Sequence, residues 1–143
     1  MPLRMQADRG AYFLVIRLNR SLIILGALGL LKFESGWYMY VGSALNGLSA
    51  RVADHLRPHK TKRWHIDYLG PRAHSMKVFL FSSRRDIERV LARKVYKISK
   101  HHVMHFGSSY CACLSHLFYF DSDPISLMKF RHLLKNWNSH IAL

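Results

Sequence analysis

A short aromatic strand followed by an amphipathic helix is the feature that most constrains the fold. Residues 36–42 read Gly-Trp-Tyr-Met-Tyr-Val-Gly, a run rich in residues that favour strands. Apolar side chains then recur at every fourth position, at Leu48, Val52 and Leu56, which is the spacing of one helix face. A strand followed by a helix is typical of an α/β domain.

The rest of the chain continues this mixture of strands and helices. Runs of β-branched and aromatic residues predict further strands at 10–18, 76–81 and 117–120, with 22–27 as the hairpin partner of the first. Apolar stripes predict helices over 86–100 and 125–137, the second capped by Asp123, and one or two helical turns over 64–69 halted by Gly70-Pro71. We expect one domain over residues 1–143, with the recognisable motifs within 10–120, a C-terminal helix at 125–137, a small sheet and flanking helices.

Charge is the strongest global signal. Lys and Arg number 22 against 8 Asp and Glu, a formal net charge of +14. Such an excess in a small domain favours nucleic acid as the partner, the alternative being a basic face without that role. The apolar run 22–31 is too short to span a bilayer, and the N-terminus has no signal core. We therefore expect a soluble cytoplasmic protein without a membrane partner.

Aromatic and cationic side chains could meet where the strand joins the helix. Tyr38 and Tyr40 are two residues apart and share one side of a strand, whereas Arg51 and His55 are four apart and neighbours on a helix. A phenol has a pKa near 10, so it needs a nearby cation to act as a base. With Tyr12, these residues could form a phosphoryl-transfer site; ordinary packing of strand tyrosines is the alternative.

The acids limit the number of metal ions. The 8 carboxylates are scattered along the chain, which favours a single-cation site over a two-metal site. Glu88 falls at the start of a predicted helix, where the helix dipole favours acids in any case. Cys111 and Cys113 with His116 match no zinc-binding spacing, so a packing role is favoured for them.

Motifs in this chain resemble those of a nuclease superfamily. Gly10-Ala11-Tyr12 and Tyr40-Val41-Gly42 resemble the motif pair of the GIY-YIG nucleases. Three blocks, at 40–60, 64–69 and 105–120, look more closely like an uncharacterised GIY-YIG-related family (domain of unknown function 123). Members of that family occur alone or joined to endonuclease III-like repair domains. The order of these blocks makes the resemblance specific.

The resemblance implies a three-stranded, mainly antiparallel sheet flanked by helices, and an endonuclease that cleaves DNA with one Mg²⁺ or Mn²⁺ ion. Tyr12 and Tyr40 match the motif tyrosines, one of which helps to activate water. Arg51 matches the arginine that stabilises the transition state, and His55 a position that acts as general base or orients the phenol. Glu88 matches the metal ligand. The structural alternatives are a solvent-facing His55 and a Glu88 that serves only the helix dipole.

Further residues would contact the substrate or frame the cleft. We expect four basic residues and one tyrosine to contact nucleic acid: Arg57, Lys60, Lys62, Arg63 and Tyr38. DNA is favoured over RNA, and repair with an endonuclease III-like partner is the expected setting. His65 and Asp67 either frame the active site or form a cap between helix and sheet.

Two departures from the expected pattern bear on activity. Tyr110 stands where the related family is expected to have an acid, and no asparagine can be placed near the metal glutamate; Ser108 and Ser109 are the nearest polar residues. A DNA- or RNA-binding module with a degenerate, non-catalytic GIY-YIG site is therefore the alternative function.

Overall fold

An antiparallel sheet forms the centre of the protein. The computed structural model describes residues 9–44, 47, 53, 65–83, 85–103, 106, 115–137 and 140–141. The strands of this part are β1 Gly10–Leu18, β2 Ser21–Ile24, β3 Leu30–Phe33, β4 Gly36–Ala44, β5 Ser75–Ser82, β6 His101–His102, β7 Leu117–Phe120 and β8 His140–Ile141. Six of them form one sheet in the order β6-β7-β4-β1-β5-β8, with every neighbouring pair antiparallel. The expected α/β class with an antiparallel sheet is confirmed.

The expectation of a three-stranded sheet is wrong. The three long strands β4, β1 and β5 form the centre, and the short strands β7, β6 and β8 extend it on both sides. All four residues of β7 are buried, so this strand has apolar side chains to cover on both of its faces. Pairing with β4 covers its polar backbone as well, which explains why the sheet continues beyond its central strands.

The expected pairing of residues 22–27 with the first strand is also wrong. Strand β1 is hydrogen-bonded on one edge to β4 and on the other to β5, so no edge remains for β2. Strand β2 instead pairs with β3 in a separate two-stranded ribbon. A 3₁₀ turn at Gly26–Leu28 joins the two strands of the ribbon.

Two α-helices of the described part cover one face of the sheet: α1, Glu88–Ile98, and α2, Met128–Asn136. The Asp123 carboxylate accepts a hydrogen bond from the Ile125 amide at 3.1 Å, so the predicted cap is confirmed, although it opens a 3₁₀ turn at Pro124–Ser126 that precedes α2. Another 3₁₀ turn, His65–Tyr68, confirms the expected helical turn there. Gly70–Arg72 forms a further 3₁₀ turn, because proline is compatible with the first positions of a helix.

The core has two layers, one on each face of the sheet. The tyrosine face bears the side chains of Tyr12, Tyr38 and Tyr40, which pack with the ribbon and with residues of the 3₁₀ turn at 65–68. The helix face bears Phe13 and Val41, which pack against α1 and α2. Because side chains alternate along a strand, successive residues of β1 and β4 fall on opposite faces.

Of the expected helix at 48–56, the described residues include only Ala53, which is helical and exposed. None of the helices within the described residues has the length and apolar character needed to cross a membrane.

Candidate active site

The first motif tyrosine rests on the second motif glycine. Tyr12 of β1 lies directly opposite Gly42 of β4, and both are on the tyrosine face. A Cβ atom added at Gly42 would overlap the ring and the hydroxyl oxygen of Tyr12, with Cε1 only 2.7 Å away. Glycine is therefore the residue that lets the phenol lie across β4. This contact supplies a physical reason for the spacing of the two motifs.

The second motif tyrosine lies beside the first. The ring centroids of Tyr12 and Tyr40 are 6.2 Å apart, with the planes inclined at 51°. Tyr40 also meets the edge of Phe106 at 6.2 Å. Both tyrosines are buried, Tyr12 at 0% and Tyr40 at 6% relative exposure. The structure thus brings together the two tyrosines predicted from the motifs.

Tyr38 is a core residue, which corrects the expectation that it contacts nucleic acid. It is 2% exposed, and its hydroxyl donates a hydrogen bond to the Glu34 carbonyl oxygen at 2.7 Å. Its ring packs against Phe33 and Tyr119, with centroids 5.6 Å and 5.1 Å away. Burial raises the pKa of Tyr38 above its ordinary value, and the proximity of Tyr119 and of the Glu34 carboxylate raises it further. Its phenol is therefore held neutral and hydrogen-bonded inside the protein.

On the helix face, Glu88 pairs with a buried histidine. Glu88 is the first residue of α1, and its Oε2 lies 3.5 Å from Nδ1 of His116. The side chain of His116 is 2% exposed and that of Glu88 is 23% exposed. The same Nδ1 lies 3.1 Å from the carbonyl oxygen of Val41, to which it can only donate. One imidazole N–H is therefore shared between a backbone carbonyl and the candidate metal ligand.

Strand pairing explains the position of His116. Its carbonyl oxygen accepts a hydrogen bond from the Val41 amide at 2.9 Å, which continues the β4–β7 ladder one residue beyond the Tyr40–Leu117 pair. Residues opposite each other in a ladder share a face of the sheet, so His116 lies on the helix face with Val41. From the sequence, His116 was considered only together with the nearby cysteines. The feature that could have identified it is its position as a polar residue directly before an entirely apolar strand.

Tyr12, Tyr40 and Glu88 lie at the same end of the sheet but on opposite faces of it. The phenols are on the tyrosine face, and Glu88 approaches His116 on the helix face, with the backbone of β4 around Val41 between them. The resemblance implied that these side chains would serve one active site with a single cation. The structure brings the two tyrosines together and gives Glu88 a different partner.

Asp67 is buried at 1% relative exposure in the 3₁₀ turn His65–Tyr68. Its neighbours Ile66 and Leu69 belong to the core of the tyrosine face. This position is compatible with both roles proposed for Asp67, a cap between elements and a wall of the cleft. The side chain of His65 lies outside the described part of the chain.

Several predicted functional residues fall outside the described residues. They are Arg51, His55, Arg57, Lys60, Lys62 and Arg63, together with Ser108, Ser109, Tyr110, Cys111 and Cys113.

The metal requirement of the resembling superfamily can be tested against the donor set. Within the described residues, no group of three or more His, Cys, Asp or Glu side chains could hold an ion. Mg²⁺ retains several waters and commonly uses only one or two carboxylates. Glu88, with a partly exposed carboxylate, fits that single-carboxylate mode. His116 fits a supporting role, because Mg²⁺ prefers oxygen ligands.

Comparisons with known proteins place the chain in one family. No curated protein and no solved structure matches it. The family model described as "Domain of unknown function DUF123" matches residues 11–139, nearly the whole chain. The chain therefore belongs to the DUF123 family.

Proposed function

We propose that the protein is a divalent-metal-dependent endonuclease of the GIY-YIG type, hydrolysing phosphodiester bonds in DNA. The observation that carries the proposal is the contact of the Tyr12 phenol with Gly42 beside Tyr40, at the sheet end where Glu88 and His116 also lie. The glycine that admits the ring across the strand also fixes the place of the Tyr12 hydroxyl, a weak acid. A hydrolase needs such a group in a defined position to transfer a proton.

Each residue has a distinct task in this proposal. The Tyr12 or Tyr40 hydroxyl orients the attacking water and takes up its proton while passing the phenol's own proton to His55, which acts as the base. Arg51 neutralises charge that develops on the scissile phosphate. Glu88 holds the metal ion, and a bound Mg²⁺ or Mn²⁺ would polarise the phosphate oxygens as a Lewis acid.

The charge of the chain supports a polyanionic substrate. The formal net charge of +14 raises the local concentration of DNA and makes binding strongly dependent on salt. Arg57, Lys60, Lys62 and Arg63 would hold phosphates that flank the cut. A role in DNA repair, with an endonuclease III-like partner, belongs to this proposal; RNA is the alternative substrate.

A second candidate function is a nucleic-acid-binding module with a degenerate site. One observation favours it: Tyr12 and Tyr40 are buried on one face of the sheet, and Glu88 contacts His116 on the other. A protein with this arrangement that never repositions these groups would bind DNA without cleaving it.

A nicking assay separates the two functions. Supercoiled plasmid and branched DNA are incubated with the wild type and with Glu88→Gln, in Mg²⁺ and in Mn²⁺. Removing the one carboxylate that holds the ion should lower the rate by roughly 100-fold, equivalent to about 3 kcal/mol of transition-state stabilisation. DNA binding should stay within about twofold, because Gln keeps the shape of the side chain.

Glu34→Gln is the matched control. Glu34 is exposed and pairs at the surface with Lys32, at 3.5 Å. This variant loses the same charge outside α1 and should cleave at the wild-type rate. Arg51→Ala should be as inactive as Glu88→Gln. DNA binding without nicking in either metal would overturn the endonuclease and leave the binding module.

A further inference from the structure

The outward side of α1 carries a row of cations. The inward side of the helix buries Leu91 and Val95 against the sheet. On the opposite side, Arg89, Arg93 and Lys97 follow one another at every fourth position and are exposed. Residues four apart are neighbours on a helix surface, so the three side chains form one continuous strip. We call these three residues the α1 basic row.

The charge of the α1 basic row is not balanced within the described part of the protein. The ion pairs there join Lys32 to Glu34, Lys100 to Asp121 and His116 to Glu88, and none includes a member of the row. Like charges spaced four apart destabilise a helix slightly. The row therefore carries a small cost in helix stability, which a bound anion would offset.

The spacing of the row suits a chain of phosphates. A helix rises about 1.5 Å per residue, so consecutive cations are separated by roughly 6 Å and the row extends for about 12 Å. One DNA strand has a phosphate about every 3.4 Å along the duplex axis, so the row matches about three to four nucleotides. Arginine also binds phosphate in a bidentate manner, which fixes the geometry of each contact.

An exposed aromatic side chain accompanies the row. Tyr96 is 50% exposed and lies between Arg93 and Lys97 in sequence. Its ring is 5.3 Å from that of His102, which supports it from one side. Aromatic rings beside cations are used by proteins that bind single-stranded nucleic acid, where they stack on bases.

We propose that the α1 basic row is a nucleic-acid contact, in which Arg89, Arg93 and Lys97 bind backbone phosphates and Tyr96 stacks on an unpaired base. The inference rests on the proposed function, because the row begins one residue after Glu88 and would hold nucleic acid that flanks the cut. This contact would be the second one proposed for nucleic acid, besides the basic segment 57–63 elsewhere in the sequence.

The test compares two triple variants of equal charge. Arg89→Gln, Arg93→Gln and Lys97→Gln are combined in the row variant. Arg20→Gln, Arg72→Gln and Lys77→Gln are combined in the control; these three are exposed and lie toward the other end of the sheet. Glutamine is a good helix former, so α1 is retained, as circular dichroism can check. Binding of labelled duplex and single-stranded DNA is measured in EDTA, where no cleavage occurs.

The row variant should bind both DNAs at least tenfold more weakly than the control near 100 mM salt. Its slope of log K against log salt should be smaller by about two to three, because each phosphate that the row neutralises contributes about one to that slope. Tyr96→Ala should weaken binding to single-stranded DNA more than to duplex. The affinity of Tyr96→Ala for single-stranded DNA should fall about fivefold or more, which is the lower end of what one stacked base contributes.

Equal binding by the row variant and the control overturns the proposal. So does a row variant that loses affinity for anionic phosphatidylserine vesicles while it keeps its affinity for DNA. Because the assay does not read cleavage, an inactive protein whose binding still depends on the row would refute the endonuclease alone. A protein that nicks DNA normally after loss of the row would refute the contact alone.

Discussion

The tyrosine face and the helix face hold their polar groups by different means at the same end of the sheet. Tyr12 is fixed by strand pairing, because β1 and β4 are in register from Gly10–Ala44 to Leu18–Gly36. Its ring can lie only where Gly42 leaves room. Glu88 is held by the docking of α1 and by its contact with the His116 imidazole. The N–H of that imidazole is shared between Glu88 and the Val41 carbonyl oxygen.

This difference separates rigid from adaptable positions. A displacement of the Tyr12 backbone would require a shift in the register of a central pair of strands, and a shift by one residue would move every side chain of the strand to the other face. Glu88 is partly exposed, and its 3.5 Å contact to His116 is longer than a strong hydrogen bond. The sheet thus fixes the positions of the two tyrosines, whereas the Glu88 carboxylate can move to bind a cation.

The largest expected effect comes from removing the space under Tyr12. Gly42→Ala places a Cβ atom within the ring of Tyr12, and neither strand can move away without losing its partners. Overpacking of a core of this kind destabilises by about 3 kcal/mol or more. Urea unfolding should show that loss in the free energy of unfolding, or the variant should fail to fold.

Gly70→Ala is the control for this prediction. The nearest atom to an added Cβ at Gly70 is the terminal methyl carbon of Met76 at 3.8 Å, an ordinary contact distance. Its stability should change by less than about 1 kcal/mol, since the restriction of the unfolded chain offsets any strain. If Gly42→Ala were as stable as Gly70→Ala, the ring of Tyr12 could not lie on the glycine.

The next largest effect tests the helix face through His116. His116→Leu fills the site but removes the N–H that Glu88 and the Val41 carbonyl share. Loss of such a supporting contact lowers metal affinity by about 10- to 100-fold. Calorimetric titration with Mn²⁺ should record this loss independently of cleavage, and the Mg²⁺ concentration for half-maximal nicking should rise with it.

His116→Asn discriminates positioning from simple packing. The amide nitrogen of Asn falls close to the place of Nδ1, so this variant can still donate to Glu88 and should recover most of the Mn²⁺ affinity. Equal loss in both variants would assign His116 to the core alone. Unchanged Mn²⁺ affinity in His116→Leu would remove any link between His116 and Glu88.

Local sequence patterns predicted the elements better than their partners. The ranges 10–18 and 117–120 are confirmed as β1 and β7, because aromatic and β-branched runs identify strands without reference to the rest of the chain. The partner of β2 was mispredicted, since a hairpin pattern does not reveal that both edges of β1 are already used. Strands β6 and β8 are two residues long and carry no periodic signal.

The candidate site was predictable on one face only. The resemblance of the two motifs predicted that Tyr12 and Tyr40 serve one site, and the pairing of β1 with β4 brings their rings together. The partner of Glu88 depends on how α1 docks and on where β7 begins, and both are properties of the assembled core. Tyr38 shares its side of the strand with Tyr40, yet its burial depends on Phe33 and Tyr119, and the second of these is far away in sequence.

The smallest expected effect tests whether Tyr38 is structural. Burial first, and then Tyr119 and Glu34, raise the pKa of Tyr38 in the folded protein above the ordinary value near 10. The unfolded chain therefore loses this proton at a lower pH than the native protein does. Since the unfolded state then binds fewer protons, Tyr38 lowers the free energy of unfolding as the pH rises above about 10, and has no such effect below it.

Urea unfolding of the wild type and Tyr38→Phe at pH 8 and pH 11 measures this difference. At pH 8 the variant should be less stable by about 1 kcal/mol, because its ring cannot donate to the Glu34 carbonyl. On going to pH 11 the variant should lose less stability than the wild type. Tyr96→Phe, at an exposed position, should behave as the wild type at both values.

A parallel decline of wild type and Tyr38→Phe would mean that the Tyr38 phenol reaches solvent. The tyrosine face would then be as adaptable as Glu88 on the helix face, and the contrast between a rigid and an adaptable side of the site would be lost.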